Sequence, residues 1–75
     1  MNNAFDTFKE SFIDMVSRYQ LPVSIDHKEL KACYANRLTV EDTYNLYADL
    51  YCHSFDTFKE AITYYTKYAQ LLEKI

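Results

Sequence analysis

Apolar residues fall on helical faces along most of the chain. Between residues 4 and 20, Phe5, Phe8, Phe12, Met15, Val16 and Tyr19 share one narrow arc at about 100° per residue, the pattern of an amphipathic helix. Asn3 stands where an N-cap belongs, and Asp6 falls in the first turn, where the helix dipole favours negative charge. Leu21-Pro22 closes the segment, because the residue before proline is pushed out of the α region. A second, weaker helix is expected over about 26–37. Asp26 and Glu29 open it in a capping-box pattern, and Leu30, Cys33, Tyr34 and then Leu38 give it a thin apolar face. Thr39-Val40-Glu41-Asp42 is another cap signal and opens a third helix, about 40–52. Ser54 caps a fourth, about 55–73, which buries Phe55, Phe58, Ile62, Tyr65, Ala69 and Leu72. The expected fold is all-α: a single domain over residues 1–75, an antiparallel bundle of four helices with the long first and last helices as its backbone.

One internal similarity runs through this pattern. Phe5-Asp6-Thr7-Phe8-Lys9-Glu10 recurs unchanged as Phe55-Asp56-Thr57-Phe58-Lys59-Glu60, and 5–21 matches 55–71 at 8 of 17 positions. The chain is too short for two full copies of a 50-residue unit, so a solenoid is excluded. The repeat still predicts one shared conformation for the two segments.

Composition narrows the function classes. The chain has no glycine and one proline. Phosphate-cradling loops, dinucleotide fingerprints and nucleophile elbows all need glycine where backbone turns tightly or approaches a ligand, so none is encoded. Only 21 of 75 residues are Val, Ile, Leu, Met or Phe, so the core must borrow tyrosine rings. A homodimer is one remedy for so small a core.

Charge is mildly acidic, 8 Lys and Arg against 11 Asp and Glu for a net charge of −3. A nucleic-acid binder normally carries a clustered basic surplus, so direct nucleic-acid binding is disfavoured. The third helix, read as a recognition helix, would open on Glu41 and Asp42 and repel phosphate. The first twelve residues lack a basic n-region and an apolar h-region, and no apolar run approaches the roughly 18 residues that span a bilayer. A cytoplasmic protein with no membrane association is expected, with Cys33 and Cys52 as buried free thiols.

Chemistry finds no constellation to stand on. Cys33, Cys52, His27 and His53 lack the convergent spacing that zinc demands, so no metal or other cofactor is expected. No Cys-His pair has an orienting third group, and Arg and His do not fall at a short catalytic spacing. The chain reads as a non-enzyme.

Tyrosine is the anomaly, eight in 75 with no tryptophan. Tyr19, Tyr47 and Tyr65 lie inside apolar arcs and are expected in the core, hydroxyls reaching its edge. Tyr64, Tyr68 and Leu71 lie off the main arc of the last helix. Tyr44 and Tyr51 border a polar face carrying Glu41, Asp42, Asn45 and Asp49. Exposed tyrosine beside carboxylates is the composition of a protein-recognition surface, so a protein partner is expected at Tyr44, Tyr51, Tyr64, Tyr68, Leu71, Glu41, Asp42 and Asp49.

In size, acidity, solitary form and tyrosine richness the chain resembles the small inhibitors encoded by phages and mobile elements, anti-CRISPR proteins among them. That resemblance implies blocking of a host nuclease or CRISPR effector complex by occupying a nucleic-acid or partner site. Bacteriocin-type immunity proteins are a similar class. A dimeric transcriptional or plasmid-maintenance regulator and a structural adaptor subunit are the alternatives.

Overall fold

The computed structural model describes residues 4–73. Four helices follow one another, α1 (Ala4–Arg18), α2 (His27–Ala35), α3 (Val40–Tyr51) and α4 (Phe58–Glu73), and there is no strand among the described residues. The molecule is a small all-α bundle, with 74% of the described residues helical. The cap expected at Asn3 lies outside the described residues.

Local chemistry explains where the helices start. Asp26 accepts the backbone N–H groups of Lys28 and Glu29, capping α2. Thr39 and Asp42 form a full capping box on α3: the Thr39 hydroxyl accepts the Asp42 N–H at 3.0 Å, and Asp42 accepts the Thr39 N–H at 3.4 Å. On α4 the structure corrects the expectation. The helix starts at Phe58 rather than residue 55, and its cap is Thr57, whose hydroxyl accepts the Glu60 N–H at 3.2 Å, not Ser54. The repeated hexapeptide is therefore helical throughout at 5–10, whereas residues 55–57 precede the helix.

The first three helices end alike. Gln20, Arg37 and His53 take left-handed backbone with φ of 55°, 64° and 63°. Each donates its N–H to the carbonyl three residues back, and the next residue donates five back: Leu21 to Val16, Leu38 to Cys33, Ser54 to Asp49. These are Schellman caps built without glycine, at three side chains that carry the steric cost of the left-handed region.

Packing centres on α3, not on α1 and α4 as the sequence implied. α3 packs against both long helices, and α1 also meets α2. Phe12 lies against Tyr47 while Tyr19, further along α1, lies against Tyr44, earlier in α3, so these two helices run antiparallel. Phe8, Phe12, Val16, Leu30, Cys33, Leu38, Leu46, Tyr47 and Ala61 form the buried core. The Tyr47 ring bridges Phe12 of α1 and Phe58 of α4, at centroid distances of 5.3 and 6.0 Å. Tyr19 and Leu72, both expected in the core, stand outside it. Tyr19 is 60% exposed because α1 stops one residue before it, and Leu72 is 52% exposed near the end of α4.

Candidate functional site

The surface where the N-terminal half of α3 meets α4 gathers most of the expected site. The capping box sets its geometry, because it fixes where α3 begins and so which way Glu41, Asp42 and Tyr44 project. On one side, Tyr44 is half-buried with its ring 5.5 Å from that of Tyr19. Met15, Tyr19, Glu41, Tyr44 and Asn45 line a shallow cleft there. On the other side, Asp42, Asn45, Tyr64, Tyr65 and Tyr68 line a second cleft between α3 and α4. Asn45 is exposed and forms the ridge common to both.

Five of the eight expected residues thus come together: Glu41, Asp42, Tyr44, Tyr64 and Tyr68. Leu71 continues the α4 stripe one turn further on and is 62% exposed. Asp49 belongs to the same seam from within, since its carboxylate accepts the Tyr65 hydroxyl. Tyr51 is exposed but stands two turns along α3 from Tyr44, at the far end of the helix. Sequence reasoning missed Tyr19, Asn45 and the lining role of Tyr65. For Tyr19 the signal was present: Leu21-Pro22 required the helix to stop close by, which takes that ring out of the arc.

The rings form a continuous aromatic layer. Phe55 touches Tyr64 and Tyr65 at 5.4 and 6.4 Å, and Tyr64 meets Tyr65 edge-on at 5.1 Å. Desolvation, helped by the Asp49 carboxylate, pushes the Tyr65 hydroxyl well above the ordinary tyrosine range. Tyr65 is therefore a neutral donor at physiological pH. No lysine or arginine lines either cleft, and Lys59 and Lys67 stand beside Tyr64 along α4. The one ion pair among the described residues, Arg18 with Asp14 at 2.6 Å, lies on α1 and involves no carboxylate of α3.

A second aromatic group lies at the α1–α2 corner. Phe5 and Phe8 pack against Tyr34, and His27 stands edge-on to Phe5 at 5.3 Å. Its polar neighbours are cationic: Lys9 Nζ is 3.2 Å from His27 Nδ1, and Lys31 sits 5.9 Å over the Phe5 ring.

Thiols and histidines do not converge. Cys33 is buried and Cys52 is exposed, correcting the expectation of two buried thiols, and both are free. Cys52 is the capping residue after α3, at a turn rather than on the core face. Burial raises the Cys33 thiol to about 11, partly offset by the Thr43 hydroxyl beside it. Among the described residues no group of three or more His, Cys, Asp and Glu is placed to hold a metal ion. No described helix is long and apolar enough to cross a membrane.

No protein-family model, characterised protein or solved structure matches the chain.

Proposed function

We propose that this protein is a non-enzymatic inhibitor that binds a protein partner in the cytoplasm and blocks it stoichiometrically, using the tyrosine–carboxylate surface between α3 and α4. One observation carries the reading. Tyr64, Tyr68 and Leu71 are 52%, 46% and 62% exposed along one side of α4, while Ala61, on the same helix, is fully buried in the core. Tyr64 packs on one side against Phe55 and Tyr65, but the halves of these side chains left in water add nothing to the core, whereas a recognition surface gains rigid amphipathic contact area from them at low entropic cost. The acidic rim of Glu41 and Asp42 would steer encounter with a basic partner. With its size and acidity, this surface fits an inhibitor of the anti-CRISPR kind, directed at a host nuclease complex.

The test is capture of partners from host lysate by the intact protein and by the Tyr44→Ala/Tyr64→Ala/Tyr68→Ala variant. Circular dichroism first establishes that the variant folds. A partner lost with the three rings and retained by a Tyr34→Ala control supports the reading. Equal capture by both proteins removes it. Sedimentation of the free protein separates a second possibility, since Tyr64, Tyr68 and Leu71 are equally suited to burial against another copy.

A further inference from the structure

We infer that the α3–α4 cleft takes an arginine side chain from an exposed basic segment of the partner, an inference that rests on the partner-binding reading above. Two observations converge on a guanidinium, an aromatic wall and a carboxylate facing it. The cleft wall is aromatic, with Tyr64, Tyr65 and Tyr68 lining it and Phe55 packed behind Tyr64. Aromatic faces attract cations through the ring quadrupole, and a planar guanidinium also stacks on them. Opposite that wall is Asp42, whose carboxylate takes only one backbone N–H, from Thr39, and so retains acceptor capacity. Glu41, one residue away and exposed, lines the neighbouring cleft between α1 and α3 and adds negative charge nearby.

Size and openness favour a side chain over a free ligand. The cleft holds about 270 Å3 and is open to solvent, below the range of roughly 300–1,000 Å3 typical of small-molecule pockets. It accommodates a side chain presented by a larger body rather than a molecule that must be enclosed to be held. Charge decides the sign of that side chain. Asp42, the carboxylate among the cleft's lining residues, makes no ion pair with a described residue, so a partner cation gains an attraction there. Arginine is favoured over lysine because it offers a flat face to Tyr68 and a fork of donors to Asp42 at the same time.

The experiment titrates the intact protein with three nine-residue peptides in which arginine, lysine or glutamine alternates with serine, read by ring and backbone resonances. The arginine peptide is expected to shift Tyr64, Tyr68 and Asn45 and to bind several-fold more tightly than the lysine peptide, with no saturable shift from the glutamine peptide. Glu41→Gln/Asp42→Asn should weaken the arginine peptide about tenfold. The Asn introduced at 42 retains an acceptor for the Thr39 N–H, so α3 stays capped. Tyr68→Leu, which keeps apolar bulk and removes the ring quadrupole, should weaken it about fivefold. Equal affinity for arginine and glutamine peptides, or shifts confined to α1 and α2, overturns the inference. So does a dimer in sedimentation with the cleft silent to peptide. If partner capture depends on the tyrosines while the arginine peptide does not bind, the guanidinium inference fails and the protein-binding reading stands. If the peptide binds but capture ignores the tyrosines, the protein-binding reading fails.

Discussion

Tyr47 touches three other helices. Its ring is 3% exposed between Phe12 and Phe58, and its hydroxyl donates to Glu29 on α2 at 2.9 Å. Desolvation, together with the Glu29 carboxylate, holds that hydroxyl far above the ordinary tyrosine range. Glu29 thereby serves a tertiary bond instead of the capping box that its position three residues after Asp26 announced. Tyr47→Phe keeps the packing and removes one hydrogen bond, so urea unfolding should show a loss of about 1 kcal/mol. Tyr47→Ala also opens a cavity at the centre of the bundle and should cost about 3–5 kcal/mol, by analogy with other large aromatic truncations.

Titration at the same scale gives a pH prediction. Cys33 and Tyr47 are both raised on folding, so above the ordinary cysteine value near 9 the unfolded chain has lost protons that the native chain keeps. Stability is therefore fully present below about pH 9 and falls as pH rises through the raised Cys33 value of about 11. A Cys33→Ser variant with an unchanged alkaline limb would remove the thiol from this account. A thiol reagent should modify Cys52 alone in the native protein and both cysteines after denaturation, because burial keeps the Cys33 thiolate scarce.

At the scale of elements, helix number and order were legible in the sequence because the arcs of α1 and α3 and the caps at Asp26 and Thr39 are local signals. The start of α4 was not. Six identical residues are helical at 5–10 and begin outside the helix at 55–60, where the chain has just left the left-handed turn at His53 and Ser54 is tied back to Asp49. Only after that turn does Thr57 cap a new helix, a constraint set by the preceding element and invisible in the hexapeptide itself. Thr57→Ala should cost about 1 kcal/mol in thermal or urea melts, whereas Ser54→Ala should cost much less. The glycine-free caps make the opposite kind of prediction. Gln20→Gly, Arg37→Gly and His53→Gly each relieve left-handed strain of about 1–2 kcal/mol, less the entropy that glycine adds to the unfolded chain. Each variant should melt at or above the parent temperature, and alanine at the same positions should not raise it.

Across the whole molecule, the aromatic surface divides into two regions. Tyrosines with carboxylates lie where α3 meets α4, and aromatic rings with lysines lie where α1 meets α2. The sequence pointed to the first surface through off-arc tyrosines, yet it did not show that Tyr51 stands apart or that Asn45 joins two clefts, because both depend on the packing of α3 between α1 and α4. The central claim is that the α3–α4 face meets a protein partner. Hydrogen exchange of the chain, free and in complex with the partner captured from lysate, tests it most directly. The account predicts added protection at 39–45 and 62–71, with 27–35 exchanging as in the free protein. Protection concentrated in α2 and the first half of α1, with α4 unchanged, would contradict it.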